Sequence, residues 1–158
     1  MSERKDVDLM EADIKLSPIG VVKSEISDRI IMPLKGIEAK IEVFPKYSDA
    51  MYRIQESSHL WILSWFHEAP RDMMRVVPMK VNPLSEEFGV FGIRCPARPN
   101  PIALTLVKLD KVEGNVLYVT GLDAVNDTPV LDIKPYFLND IELSFRAPYI
   151  SKKMEGAG

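Results

Sequence analysis

The stretch "IALTLVKLDKVEGNVLYVTGL", residues 102–122, decides the fold of this chain. In its first run, Ile102, Leu104 and Leu106 alternate with residues that are themselves small, β-branched or apolar. Both faces are thus largely apolar up to Lys108, which is typical of a buried strand. The tripeptide "EGN" at 113–115 separates this run from a second apolar run. Because a loop this short joins antiparallel neighbours, the stretch predicts a β-hairpin.

Short runs of β-branched and aromatic residues recur along the chain, separated by clusters of Pro, Gly, Asn and Asp. Besides the hairpin, the candidate strands are 19–26, 39–44, 59–66, 75–81, 130–137 and 141–146. One helix is predicted over Asp49–Ser57, with Ser48 as its cap and Met51 and Ile54 on its apolar side. Many short strands with one or two short helices predict a mainly β, single-domain fold, either a β-barrel or a strongly bent sheet.

Composition sets the limits on function. The chain has 158 residues, 46% of them hydrophobic, and a net charge of −3, so one compact domain is expected and any polyanion would have to meet a local patch. We expect the domain to span 16–148, between charged tails at 1–15 and 149–158. A single cysteine excludes an intrachain disulfide. No secretory signal and no membrane-spanning run is recognised, which predicts a soluble cytoplasmic protein without a membrane partner.

The loop "FGIRCPARPNPI" at 91–102 is stiff and basic. Its three prolines fix their own φ, and each pushes the preceding residue towards extended backbone. Two interpretations follow. The loop is either a rigid connector with solvated arginines, or a support that presents Arg94, Arg98 and Asn100 to a ligand at low entropic cost.

The segments "FGVFGIRCPARPNPIALTLVKL" (88–109) and "GLDAVNDTPVLDIKPYF" (121–137) resemble the TrmO/YaeB family, as do "IGVVKS" and "HLWILSWFHEA" earlier in the chain. The resemblance implies an S-adenosylmethionine-dependent tRNA methyltransferase built on a β-barrel. It further implies methylation of the N6 amine of threonylcarbamoyl-adenosine beside the anticodon, a homodimer, and no metal requirement.

The resemblance also implies a set of cofactor contacts: His67, Glu68, Arg94, Leu104, Asn126, Asp127, Thr128 and Pro129. Chemically, Leu104 would supply an apolar slot for adenine, Arg94 a clamp for the carboxylate, and Asp127 or Glu68 negative potential near the sulfonium. Spacing alone favours an ordinary residue at a strand end for His67, and the family position reverses that preference.

The acceptor is assigned to the same rigid loop. If the acceptor carries the carboxylate of a threonylcarbamoyl group, a basic side chain must face it, and we predict Arg98 for this contact with Asn100 reading a polar edge. Asp127 and His67 are the candidate catalytic bases. With two histidines and one cysteine, no metal site is predicted.

Three departures from the family pattern qualify this assignment. Ile93 and Cys95 flank the loop arginine where relatives usually carry Thr and then Ser or Ala. Asn126 and Asp127 stand where Asp-Gly or Asp-His is usual, so the acid is displaced by one position. Third, "MPLKG" at 32–36 lies roughly where relatives carry a Pro-Arg-Gln motif. In addition, the larger bacterial relatives carry a C-terminal domain.

Other interpretations stay open at this point. One alternative is a small-molecule methyl acceptor, and another is a chain that binds the cofactor without catalysis. Cys95 and His67 can also be imagined as a nucleophile and its base, although no recognisable elbow supports them. The basic residues are interpreted as solvated charges rather than an RNA footprint: Arg71, Arg75, Lys80, Lys108 and Lys111.

Overall fold

A computed structural model describes residues 13–78 and 84–153 of the chain. The described residues form eight β-strands: β1 (Gly20–Lys23), β2 (Ile37–Val43), β3 (His59–Trp65), β4 (Arg75–Val76), β5 (Phe88–Gly89), β6 (Ile102–Glu113), β7 (Val116–Leu122) and β8 (Pro129–Pro135). Six of them close into an antiparallel barrel in the order β1-β2-β7-β6-β3-β8, with β8 pairing back onto β1. β4 and β5 form a separate pair. The predicted mainly β barrel is confirmed.

The hairpin predicted from 102–122 is confirmed as β6 and β7. Only Gly114 and Asn115 lie between the strands, and Gly114 has a φ of +56°, the left-handed backbone that a two-residue hairpin turn requires. The side chain of Asn115 donates to the carbonyl of Val43 (3.3 Å) and to the hydroxyl of Ser48 (2.7 Å). These bonds tie the turn to the end of β2.

The core lies inside the barrel, where alternate side chains of the six strands meet. The fully buried members include Val22, Ile41, Leu60, Ile62, Val107, Leu117, Val119, Leu122 and Val130. Each such side chain stabilises the fold by roughly 1.5–3 kcal/mol relative to exposure in water. Because a slip of one residue would turn an inward row outward, the core also fixes the strand register and with it the position of the loops.

Strand β6 differs from the prediction in one respect. Its inward residues Ala103 and Val107 are buried, but Ile102, Leu104 and Leu106 point outward and are 39%, 48% and 38% exposed. The expectation of a strand buried on both faces is therefore wrong for the outer face. A closed barrel places one face of every strand outside, and on this face the three side chains stay partly exposed.

The helix predicted over Asp49–Ser57 is replaced by two 3₁₀ helices, Pro45–Met51 and Ile54–Glu56. They are separated by Arg53, whose φ of +65° cannot continue a right-handed helix. Ser48 is not a cap, because its hydroxyl donates to the carbonyl of Pro45 at 2.6 Å. The expectation of short helices in this segment holds. The predicted first residue, the α-helical type and the continuity of the helix were wrong.

The strand predicted at 141–146 does not form. Its apolar residues alternate as in a strand, yet Leu143 is 91% exposed and Phe145 is also exposed. The barrel is closed, so it has no free edge to which this segment could pair. The candidate strand at 75–81 is reduced to β4, with residues 79–81 outside the described part, and β5 was not predicted.

Three further 3₁₀ helices are Arg29–Ile31, Leu138–Asp140 and Tyr149–Lys153. In the last of these, Ile150 is buried. The domain limits at 16 and 148 stay a prediction. Residues 1–12 of the predicted N-terminal tail and 154–158 of the C-terminal tail lie outside the described residues. Across residues 13–78 and 84–153, no helix has the length and apolar character needed to cross a membrane.

Candidate functional site

The end of β3 lies at the centre of the candidate site. β3 runs between β6 and β8 and is antiparallel to both. Its last residues therefore lie beside the first residues of its two neighbours, with Trp65 paired to Ile102 and Ser64 paired to Val130. The segment that leaves β3 and the loops that enter β6 and β8 consequently share one end of the barrel.

These three segments are the ones to which cofactor contacts were assigned. His67–Glu68 follows β3, the proline-rich loop 91–101 precedes β6, and Asn126–Thr128 precedes β8. A hydrogen bond from the amide of Phe66 to the carbonyl of Pro101 (2.9 Å) joins the first two directly. The topology thus brings segments up to 62 positions apart in the sequence to the same end of the barrel. The side chain of Arg94 makes no described contact with the other assigned residues.

The loop before β8 is fixed to β1 through its polar side chains. Oδ1 of Asn126 accepts from the amide of Ser24 (3.1 Å), and Nδ2 of Asn126 donates to Oδ2 of Asp127 (3.0 Å). Oδ1 of Asp127 accepts from Nζ of Lys23 at 2.6 Å. This hydrogen bond raises the pKa of Lys23 above its usual value. The charge of Asp127 is therefore offset by an ammonium group before any ligand arrives.

The backbone at position 127 is left-handed. Asp127 has a φ of +63°, and its amide donates to the carbonyl of Val22 at 2.8 Å. Left-handed backbone is adopted readily by Gly and, among other residues, most often by Asn and Asp. Asp is therefore one of the few residue types other than Gly that suit this position.

Thr128 and Pro129 take part in the pairing of β8 with β1. The side chain of Thr128 is buried, and its carbonyl accepts from the amide of Val22 at 2.9 Å. Pro129 opens β8 and pairs with Val21 of β1. Their cofactor contacts stay predictions.

His67 and Glu68 form the exposed part of the site. Nε2 of His67 lies 3.9 Å from Oε1 of Glu68, and the His67 side chain is about half exposed. The amide of His67 donates to the carbonyl of Trp65 at 2.9 Å, which turns the chain away from β3. A catalytic role for His67 stays a prediction.

Arg29 is a residue of this region that sequence reasoning missed. Its guanidinium lies over the ring of Phe66, 3.9 Å from the centroid, and its Nη2 lies 3.9 Å from Oδ1 of Asp123. Arg29 thereby bridges the segment after β3 and the segment after β7. It stands in a charged stretch, "SEISDR", that carries no periodic or motif signal, so only the folded chain reveals the contact.

The two arginines of the proline-rich loop have different surroundings. Arg94 is exposed and makes no hydrogen bond or ion pair within the described part of the chain. Arg98 is half-buried, and its Nε and Nη2 donate to backbone carbonyls of the same loop. The predicted acceptor contact of Arg98 stays a prediction, but part of its guanidinium already has partners.

Arg71 reaches the same loop from the segment after β3. Its Nε donates to the carbonyl of Pro99 at 2.7 Å, and its Nη2 donates to Oδ1 of Asn100 at 3.3 Å. The guanidinium lies 5.3 Å from the centroid of the Trp65 ring. Asn100 is exposed, and this contact turns its Nδ2 donor away from Arg71. The interpretation of Arg71 as a solvated charge overlooked these bonds.

Cys95 is half-buried, and its thiol donates to the carbonyl of Ala97 at 3.2 Å. Among the described residues, the thiol makes no hydrogen bond with His67. A nucleophile needs a base within hydrogen-bond reach. The geometry therefore gives no support to a Cys95–His67 pair.

A broad groove of about 1190 Å³ is lined by residues of β1, β2, β6 and β7 and by Asn126. Three of its four lysines are paired with acids: Lys23 with Asp127, Lys108 with Asp110 at 3.0 Å, and Lys111 with Glu113. The fourth, Lys40, has its Nζ 5.2 Å from the centroid of the Tyr118 ring. Hydrogen bonds from Thr120 and Lys108 lower the pKa of Asp110. Paired lysines are poor ligands for phosphate, in line with the interpretation of Lys108 and Lys111 as ordinary surface charges.

No group of three or more His, Cys, Asp or Glu side chains within the described ranges is arranged to hold a metal ion.

The fold and site define a class: a small antiparallel barrel whose predicted ligand-binding segments lie at one end. Residues 22–140 match the model of the tRNA-methyltransferase O N-terminal domain, and the chain belongs to this family of tRNA methyltransferases. The predicted family is confirmed.

Relatives of this chain include proteins named for binding S-adenosylmethionine and proteins named for methyl transfer to tRNA. A probable S-adenosyl-L-methionine-binding protein from Methanothermobacter thermautotrophicus is 40% identical over 141 residues, which make up 87% of this chain and 100% of that protein. The tRNA (adenine(37)-N6)-methyltransferase of Rattus norvegicus is 35% identical over 139 residues, 81% of this chain but only 32% of the rat protein.

The crystal structure of TrmO from Pseudomonas aeruginosa superposes with a TM-score of 0.70 at 30% identity. The alignment covers 86% of this chain and 62% of the TrmO chain. This chain therefore spans less than two thirds of the TrmO chain and about a third of the rat enzyme.

Proposed function

We propose that the chain is an S-adenosylmethionine-dependent methyltransferase that acts on the N6 amine of an adenosine next to the tRNA anticodon. The observation that carries this proposal is the convergence of His67–Glu68, the loop 91–101 and Asn126–Pro129 at one end of the barrel, in a chain of the tRNA-methyltransferase O family. A tRNA substrate would place the protein in the cytoplasm.

The residues at this end suit the chemical parts of S-adenosylmethionine. Arg94 offers an exposed guanidinium to the carboxylate, and Leu104 offers exposed apolar surface to the adenine. Glu68 and Asp127 are exposed carboxylates that suit a positively charged sulfur. The cofactor supplies a methyl group on that sulfur. The chain's own residues bind and orient the reactants and accept the proton that leaves the acceptor nitrogen.

For the acceptor we propose threonylcarbamoyl-adenosine, whose carboxylate distinguishes it from plain adenosine. Its N6 nitrogen is weakly nucleophilic, because the lone pair is delocalised into the ring and the ureido carbonyl, so positioning matters. Nδ2 of Asn100, held by Arg71, is free to donate to a polar edge of this acceptor. His67 is proposed as the base in preference to Asp127, because both oxygens of Asp127 already accept hydrogen bonds.

We also propose a homodimer. The outward side chains of Ile102 and Leu106 support it, since they stay exposed on β6 on either side of Leu104, which is assigned to the adenine. Leu106→Lys should shift the protein towards the monomer in sedimentation velocity, while Tyr52→Lys, at an exposed position in the segment between β2 and β3, should not. A monomeric wild-type protein contradicts this part of the proposal.

The test of the reaction uses S-adenosylmethionine with a tritiated methyl group. Total tRNA from a strain lacking this protein is compared with tRNA lacking the threonylcarbamoyl group and with a small-molecule extract. Transfer to the first tRNA alone supports the proposal. Transfer to both tRNAs removes the threonylcarbamoyl specificity, and transfer only to the extract replaces the tRNA acceptor.

A second candidate is a protein that binds S-adenosylmethionine without transferring its methyl group. The relative from Methanothermobacter thermautotrophicus, which this chain matches over its whole length, is named for binding alone. Under this alternative, S-adenosylhomocysteine and S-adenosylmethionine raise the melting temperature by mass action while no acceptor receives tritium. An equal response to ATP and NAD, or no response to any of the four, contradicts both candidates.

A further inference from the structure

The guanidinium of Arg98 donates hydrogen bonds to three backbone carbonyls, two within the loop 91–101 and one at Val90 just before it. Nε donates to Cys95 (2.8 Å), and Nη2 donates to both Val90 (2.7 Å) and Ile93 (2.6 Å). A guanidinium stays charged at every physiological pH and holds its donors in a fixed plane. One side chain therefore sets the relative positions of three peptide groups.

Two of these acceptors flank Arg94. The carbonyl of Ile93 belongs to the peptide bond that enters Arg94, and Cys95 is the next residue along the chain. Arg98 thus holds the backbone on both sides of a residue whose own guanidinium is exposed and makes no described bond. One arginine of the loop binds backbone, and the other is left available to a ligand.

The rest of the loop is restrained by other means. The amide of Arg98 donates to the carbonyl of Pro70 at 3.2 Å, and Nε of Arg71 donates to the carbonyl of Pro99 at 2.7 Å. Prolines fix φ at positions 96, 99 and 101. Residues 92–95 include a glycine and no proline, so this part of the loop depends most on the contacts of Arg98.

We propose that Arg98 is a positioning residue, which holds residues 90–95 so that Arg94 faces the carboxylate of the cofactor. The inference rests on the proposed function, because it requires Arg94 to bind that carboxylate. A positioning role and a direct contact with the methyl acceptor have different consequences. In the positioning role, loss of Arg98 lowers the affinity for the cofactor.

Four full-length proteins test this: wild type, Arg98→Ala, Arg98→Lys and Arg94→Ala. S-adenosylhomocysteine affinity is measured by calorimetry, and amide hydrogen exchange of residues 91–100 is measured without ligand. We expect Arg98→Ala to lower the affinity on the order of tenfold and to accelerate exchange. Arg98→Lys should restore neither, because an ammonium cannot reproduce the planar fork. Arg94→Ala should lower affinity but leave exchange unchanged.

Wild-type affinity in Arg98→Ala or in Arg98→Lys overturns the inference and leaves the proposed function intact. If Arg98→Ala does not fold, judged by its melting curve, Arg98→Lys decides alone. A wild-type protein that binds neither S-adenosylhomocysteine nor S-adenosylmethionine overturns the proposed function and, with it, the positioning role.

Discussion

Nζ of Lys23 lies 2.6 Å from Oδ1 of Asp127, so a basic residue at the end of β1 neutralises an acid of the loop before β8. We expect Lys23→Met to favour the positively charged cofactor over its neutral product, because the charge of Asp127 is then unopposed. The ratio of S-adenosylmethionine to S-adenosylhomocysteine affinity should rise by about two- to fivefold at low salt. Calorimetry with both ligands checks this. An unchanged ratio would show that Asp127 lies away from the sulfonium.

The left-handed backbone of Asp127 makes a separate prediction about stability. Asp127→Gly removes the strain but also the ion pair, so the free energy of unfolding should change by less than about 1 kcal/mol. Asp127→Val should destabilise by at least about 1–2 kcal/mol, because a β-branched residue tolerates a φ of +63° poorly. Urea denaturation compares the two variants. Equal stabilities would contradict this account of position 127.

Gly36 should be among the least replaceable residues of the barrel. Its φ is +74°, and a Cβ added there would lie 2.5 Å from the backbone carbon and oxygen of Gly121. Gly36→Ala should therefore destabilise by about 2–5 kcal/mol, from strain and overlap together. Gly114→Ala is the matched control, since its φ is +56° but nothing lies within 4 Å of the new Cβ. We expect a loss of only about 1–2 kcal/mol there.

The fold was predictable where the signal is local. The hairpin of β6 and β7 follows from two apolar runs and a short turn, and these features are recognised from residues close together in the sequence. Residues 141–146 carry the same alternation, but the closed barrel offers them no edge, which is a tertiary fact. β4 and β5 have two residues each, too few to carry a period.

For the candidate site, the order of the strands brings the segments selected by their motifs to one end of the barrel, while their ligand contacts stay predictions. The contacts of single side chains were out of reach. Arg98 bonds to carbonyls that any sequence would provide, and Arg29 meets Phe66 only because the segments after β1 and β3 fold together. Such contacts depend on loop conformation and leave no pattern of residue types.

Ser64 carries a polar group that the barrel interior does not satisfy. The residue is 0% exposed, and its hydroxyl has no hydrogen-bond partner in the part of the chain that the structure describes. Ser64→Ala should therefore stabilise the protein by about 1 kcal/mol and raise its Tm by about 2–4 °C. Ser58→Ala, at an exposed hydroxyl bonded to His59 at 2.9 Å, should change stability by less than about 0.5 kcal/mol. A destabilised Ser64→Ala would indicate a buried water or an unrecognised partner.

The variant Cys95→Ser distinguishes direct methyl transfer from catalysis by a cysteine nucleophile. Its thiol donates to the carbonyl of Ala97 at 3.2 Å, a contact that a serine hydroxyl can also make, so Cys95→Ser should keep the loop and most of the methyl transfer. A mechanism that uses the thiolate would instead lose almost all activity, because a serine hydroxyl without an adjacent base is a far weaker nucleophile. The rate of tritium transfer is measured for Cys95→Ser beside Arg94→Ala, whose lost contact should lower kcat/KM by about ten- to a hundredfold. Alkylation of the wild-type thiol is a poorer test, because a bulky adduct would also block the site that Arg94 is proposed to serve. A loss in Cys95→Ser as large as that in Arg94→Ala, with unchanged S-adenosylhomocysteine affinity, would favour the nucleophile.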